Sequence, residues 1–240
     1  MLHFPVLLEE SVDFLLNDLN GHYIDCTFGR GGHSKLILEK LTKDGFLTGI
    51  DKDPDAYEYA TKLKNNNFKI INDSFKNIEK YFEEESISGI LYDLGTCSTH
   101  LDQPERGFSF NKEGPLDMRF NNKTGIPLSD WLENASEEQI RDILYQYGDE
   151  KHAKLISNAI FRSKIKNKIT TTTQLSKIIK DIYPEKDKKI HPATKSFQAF
   201  RIFINNELEE ITRSLKAAEK LIKLGGFLVP LAFHSLEDNI

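Results

Sequence analysis

Very little in this sequence can staple or anchor the chain. Its 240 residues include two cysteines, Cys26 and Cys97, and one tryptophan. Two cysteines build no disulfide framework and offer no metal-ligand spacing, so a reducing compartment is expected and no metal. Both stand at the ends of predicted strands and read as small buried residues. No run approaches the roughly eighteen apolar residues that span a bilayer. Residues 1–20 lack a basic start followed by an unbroken apolar stretch. The expectation is a cytoplasmic protein that meets no membrane, with a mitochondrial location as the alternative. Internal repeats and low-complexity linkers are absent too.

What the chain does have is a glycine-dense turn. Tyr23–Cys26 reads as a strand and Ser34–Leu41 as a helix, and the stretch between them carries Gly29, Gly31 and Gly32. Glycine lets a backbone turn tightly and approach a ligand, while the first amides of a helix offer free donors. Further on, Phe46–Ile50 reads as a second strand followed by Asp51. In a doubly wound sheet an acidic side chain at that place meets a ribose diol. The turn does not end in Gly-Lys-Ser/Thr, which excludes a triphosphate P-loop, and it lacks the dinucleotide Gly-x-Gly-x-x-Gly spacing. A turn that embraces a nucleoside without neutralising a pyrophosphate points to S-adenosylmethionine. Ordinary βα turns, with Asp51 opening an Asp-Pro turn, are the plain alternative.

Strand and helix signals alternate through the first third: helix Pro54–Leu63, strand Phe68–Ile71, helix Lys76–Phe82, strand Ile87–Tyr92. This is the pattern of a parallel sheet covered by helices. Such sheets bind ligands at the carboxyl ends of their strands, where Asp25, Asp51, Asp73 and Asp93 stand. Leu101–Thr124 loses either periodicity and reads as a working loop. Helical stripes dominate from Leu128 to Tyr183, and a long helix is predicted from Phe197 to about Leu224, stopped by Gly225-Gly226. Phe227–Phe233 reads as a fifth strand, although Pro230 belongs at an edge or a bulge. The order implies a nucleotide-binding domain, 1–110 with 211–240, carrying a helical insert over 111–210.

The net charge of −5 hides a segregation. Between Lys151 and Arg201 stand thirteen Lys/Arg against three Asp/Glu. A basic lobe on an acidic body is an electrostatic footprint for nucleic acid, although lysine-rich helices are often only solvated surface. The RNA-contact candidates in it are Lys164, Lys166, Lys168, Lys188 and Lys189, with His191. At the strand ends, Asp93 is the leading catalytic candidate; an equally weighted role is to cap the following turn or hold a cofactor ammonium. His234, after the fifth strand, is the second catalytic candidate, to orient a base or relay a proton. Ser235-Leu236-Glu237-Asp238 equally reads as a helix start, and His234-Ser235 makes no hydrolase triad.

Taken together, His3–Glu10, Thr27–Ser34, Asp51–Pro54, Arg106–Phe110, Gly114–Arg119, His191–Thr194 and Phe233–Asp238 resemble the ordered signature set of the RsmH/MraW family, across nearly the whole chain. The resemblance implies a 16S rRNA (cytosine-N4)-methyltransferase that uses S-adenosylmethionine and modifies a cytidine in the decoding region of the small ribosomal subunit. It implies a class I S-adenosylmethionine-dependent methyltransferase fold, a Rossmann-like parallel sheet, with an inserted helical domain. Carried over by position, its cofactor contacts fall on Gly31, Gly32, His33, Asp51, Phe75 and Asp93, and His100 stands where the family has a glutamine. The family continues past Ser-Leu-Glu-Asp with an arginine and further sheet elements. Here Asn239 takes that place and the sequence ends at Ile240, so a shortened chain with an uncovered fifth strand is expected. Two other readings compete with the enzyme: a non-catalytic rRNA-binding assembly protein with a vestigial cofactor site, and a small-molecule methyltransferase, which leaves the basic lobe unexplained.

Overall fold

Residues that alternate about a strand sort themselves onto two faces, and the first unit of this protein is built on that alternation. The computed structural model describes residues 5–183 and 190–240. It divides into two compact units, one formed by the chain up to Cys97 with Leu208–Ile240, the other by Ser98–Glu207. The helical unit thus begins at Ser98, upstream of the expected 111 and just before the segment expected to be a loop.

The first unit runs α1 (Leu8–Leu15), β1 (His22–Asp25), α2 (Gly32–Lys40), β2 (Phe46–Ile50), α3 (Pro54–Thr61), β3 (Phe68–Ile71), a 3-10 turn (Phe75–Lys80) and β4 (Ile87–Asp93). The second contributes α4 (Ser98–Asp102), α5 (Leu128–Asn134), α6 (Glu137–Gly148), α7 (Ala153–Lys166), α8 (Thr172–Lys180) and α9 (Thr194–Asn205). The chain then returns through α10 (Glu207–Leu221), β5 (Ile222–Leu231) and α11 (Ser235–Asp238). The strands form one parallel sheet in the order β3-β2-β1-β4-β5. That order reverses between β1 and β4, and a crevice opens at the carboxyl end of such a switch point.

On one face of the sheet Tyr23 and Leu91 pack with Val12, Leu15 and Ile37 of α1 and α2. On the other, Ile24, Ile90 and Tyr92 pack with Ile211, Ala218 and Leu221 of α10. Each fully buried side chain of this kind contributes about 1.5–3 kcal/mol. The same alternation puts Asp25 and Asp93 in phase with Tyr23 and Leu91, on the α2 face. In the helical unit a separate core gathers residues from Phe108 to Phe200, including Leu132, Ile140, Leu144, Ile156 and Leu175. Capping boxes start α6 at Ser136/Gln139 and α8 at Thr171/Gln174.

Three expectations are corrected. The long helix from Phe197 is two helices, broken at Asn206, whose φ of 52° is left-handed. Gly225-Gly226 does not stop the helix. It lies within β5, where Ile87 faces Ile222 but Gly89 already faces Phe227, so the extra residues bulge out and Gly225 takes φ 80°. The helix expected over Lys76–Phe82 is the 3-10 turn. Pro230 stays in the strand opposite Tyr92, which β5's place at the end of the strand order permits.

Candidate active site

The glycine turn after β1 is held from below by carboxylates and a hydroxyl. Asp25, at the end of β1, is 2% exposed. Its Oδ1 accepts from the Thr27 amide at 3.1 Å and its Oδ2 from Ser34 Oγ at 2.6 Å, which locks the turn to the first residues of α2. Burial raises the pKa of this carboxyl above its ordinary 3.8, against the lowering pull of the Ser34 hydrogen bond and of His33. Thr27 Oγ1 in turn accepts the Asp93 amide at 2.6 Å, tying the turn to the end of β4. Gly31 caps α2 at φ 72°, with its amide donating to Phe28 O at 2.7 Å.

Asp51 closes the other side. Its Oδ2 accepts from the Gly29 amide at 2.8 Å and its Oδ1 from the Asp53 amide at 2.9 Å. A carboxylate offers about four acceptor sites. Asp53 caps α3 through the Asp55 amide, as its sequence position predicts. His33, one residue into α2, is buried and places Nδ1 3.7 Å from Asp93 Oδ2. Its Nε2 is buried without a hydrogen-bond partner among the described residues. Phe75 packs edge-on against Tyr92, the residue before Asp93, with ring centroids 5.7 Å apart. Gly31, Gly32, His33, Asp51, Phe75 and Asp93 therefore belong to one unit and one end of one sheet. A glycine-rich turn, a carboxylate following β2 and a buried His33 nitrogen without a hydrogen-bond partner among the described residues fit the nucleoside part of S-adenosylmethionine.

His234 follows β5, whose Leu231 pairs with Asp93. It caps the short α11, and its Nε2 lies 2.9 Å from Oε1 of buried Glu237. Oε2 of that carboxylate accepts the Phe233 amide at 2.9 Å. The helix start read from the sequence is present, with His234 at its N-cap position. Glu237 as its partner was not legible, because an i, i+3 acid in a four-residue helix has no periodic signal.

The candidates in the helical unit sit differently. His100 is buried in the aromatic core, stacked on Phe108 at 4.9 Å and against Phe120 at 5.2 Å. Lys164, an RNA-contact candidate, is engaged within the fold. Its ammonium donates to the carbonyls of Leu132 at 2.8 Å, Glu133 at 3.1 Å and Ala135, the open C-terminal end of α5. Desolvation lowers its pKa. Lys168 pairs with Asp130 at 2.9 Å and Glu133 at 2.6 Å, acids from outside the basic stretch that partly neutralise it. Lys166 is exposed. His191 stacks on Phe110 at 4.5 Å, and its pKa is lowered by burial and by Lys180. Lys188 and Lys189 lie outside the described residues.

Parallel strands in this order, a glycine turn at the switch point and an acid closing β2 define a class I methyltransferase domain. Residues 1–240 match the MraW methylase family. The chain is 45% identical over 244 residues to the ribosomal RNA small subunit methyltransferase H of Marinomonas sp. (strain MWYL1), covering 99% of this chain and 78% of that one. It is 46% identical over 246 residues to the protein of the same name from Acinetobacter baumannii (strain SDF), covering 100% and 79%. A putative methyltransferase of Streptococcus mutans, solved in complex with SAH, is 28% identical over 41% of this chain and 56% of that one, with a TM-score of 0.33. The chain belongs to the MraW methylase family. It is a methyltransferase, and its cofactor is S-adenosylmethionine. Among the described residues no helix is long and apolar enough to cross a membrane, and no cluster of His, Cys, Asp or Glu is arranged to hold a metal ion.

Proposed function

We propose that this chain methylates the exocyclic N4 amine of a cytidine in 16S rRNA, within the decoding region of the small ribosomal subunit, in the cytoplasm of a bacterium. The observation that carries the reading is Asp93, a carboxylate at the end of β4 beside the glycine turn, in a chain that matches a methylase family from end to end. When bound, S-adenosylmethionine supplies an electrophilic methyl group. The protein's own work is to bind, align and exclude water. Gly29, Gly31 and Gly32 give the backbone close approach, Asp51 holds the ribose hydroxyls, and Phe75 flanks the base.

The cytosine amine is a poor nucleophile because its lone pair is delocalised into the ring. Asp93, accepting an N–H of that amine, localises the lone pair and disperses the positive charge that grows on nitrogen. A positioned group of this kind contributes about 10²–10³ in rate. His33, 3.7 Å away, steadies the carboxylate. His234, 2.9 Å from Glu237, orients the target base. The helical unit, residues 98–207, serves as the rRNA-recognition domain, with exposed Lys166 and the Phe110–His191 stack on its contact surface.

A non-catalytic assembly role is disfavoured by Asp25, Asp51 and Thr27. These residues hold the turn in a defined hydrogen-bonded form, which a vestigial pocket does not require. The test is transfer of labelled methyl from S-adenosylmethionine to small-subunit RNA, large-subunit RNA and transfer RNA in parallel. Label in small-subunit RNA or its particles supports the reading. Label confined to the other RNAs, or binding of small-subunit RNA without any transfer, overturns it.

A further inference from the structure

One stripe of α10 carries two buried polar side chains that face the sheet, where an apolar residue is the ordinary choice. Glu210 is 5% exposed and Ser214 fully buried, one helical turn apart. Glu210 Oε2 accepts from Lys52 Nζ at 2.7 Å, and its Oε1 lies 3.2 Å from Lys76 Nζ. Ser214 Oγ donates to the Phe75 carbonyl at 3.0 Å and lies 2.6 Å from Tyr92 Oη. The serine has one proton and gives it to that carbonyl, so Tyr92 is the donor in the second bond.

The partners of this stripe are not scattered. Lys52 follows Asp51, Lys76 follows Phe75, Phe75 itself gives its carbonyl, and Tyr92 precedes Asp93. Each is, or is the chain neighbour of, a residue assigned above to the cofactor, on three different strand exits. Buried polar pairs add little net stability compared with apolar packing, and their concentration here calls for another reason.

We propose that Glu210 and Ser214 are positioning residues for S-adenosylmethionine. From the far side of the sheet they fix the exits of β2, β3 and β4 at the spacing the cofactor requires. The inference rests on the assignment of Asp51, Phe75 and Asp93 to that cofactor.

The experiment measures S-adenosylmethionine affinity by calorimetry on the full chain, with kcat and the thermal midpoint alongside. Glu210→Ala and Ser214→Ala are each expected to weaken binding about tenfold, the equivalent of one lost charge-assisted or buried hydrogen bond. KM for the cofactor rises while kcat at saturation stays near wild type. Glu210→Gln, which keeps an acceptor oxygen and the shape, recovers most of the affinity. Lys52→Ala and Glu210→Ala combine less than additively in Kd. Thr212→Ala, on the same helix with its hydroxyl donating to Leu208 O at 2.8 Å, leaves Kd unchanged.

Variants that lose thermal stability but bind as wild type would overturn the proposal, as would additive Kd effects of Lys52 and Glu210. If Glu210→Ala fails to fold, Glu210→Gln and Lys52→Ala decide by the same affinity measurement. Wild-type protein that binds no cofactor, or an Asp51→Ala variant that binds normally, would instead strike the underlying site assignment.

Discussion

The amide of Gly29 donates to Oδ2 of Asp51 across 2.8 Å, so the glycine turn after β1 and the acid closing β2 form one hydrogen-bonded structure. Removing the acid strips a charge-assisted acceptor from the turn as well as from the ribose hydroxyls it is proposed to hold. Asp51→Ala is therefore expected to weaken S-adenosylmethionine binding about 10- to 100-fold, the effect of losing one or two hydrogen bonds to a charged group. Titration calorimetry checks it. Unchanged affinity would remove Asp51 from the site.

Gly31 is needed for its backbone. Its φ is 72°, and a Cβ there would lie 2.8 Å from Cζ of Phe28. Gly31→Ala is expected to cost about 1–2 kcal/mol from the left-handed conformation alone, with a further penalty as the Phe28 ring is displaced. Urea denaturation measures the loss; a variant as stable as wild type would show that the turn relaxes.

How much of this was open to reading depends on the kind of signal. β2 and β3 were legible to the residue because their apolar runs end at glycine, Asp-Pro and Asn-Asp boundaries. The glycine turn and Asp51 were legible as a pair, since chemistry and spacing agree. The break at Asn206 was hidden, because no glycine or proline marks it and the helical stripe runs through it. Glu210 and Ser214 were hidden for a related reason: polar residues on an amphipathic helix read as its wet face, and only the register of α10 against the sheet turns them inward. The bonds of Lys164 were hidden because a charge count has no geometry. Sequence places it in a basic stretch, and the fold places it over the carbonyls that end α5.

That placement makes a separable prediction. Lys164→Met leaves three carbonyls at the end of α5 without their donor and is expected to destabilise the protein by about 1–3 kcal/mol, with RNA affinity unchanged once the folded fraction is matched. Lys166→Glu is expected to do the reverse, lowering RNA affinity severalfold and reducing its salt dependence while stability holds. Denaturation and filter-binding at two salt concentrations distinguish them. Equal effects on both quantities from either variant would contradict the division of roles.

Asp25 supplies a pH test. Burial raises its folded pKa above 3.8, so the folded state holds a proton through a window in which the unfolded state has already released it. Stability contributed by this group is fully present below 3.8 and falls as pH rises through the folded pKa. Asp25→Asn, which cannot ionise, removes that slope. Relative to the variant, wild type is therefore expected to be more stable at pH 3.5 than at pH 7, as read from urea midpoints. A difference that is flat or of opposite sign would contradict the assignment of the shift to burial.

The central claim is the atom that receives the methyl group. Small ribosomal subunits lacking the modification are incubated with the protein and labelled S-adenosylmethionine, and the RNA is digested to nucleosides for mass spectrometry. The account predicts label in N4-methylcytidine at a single site of the decoding region, abolished by Asp93→Ala. Label in 5-methylcytidine or on a ribose oxygen, or full transfer by Asp93→Ala, would contradict it.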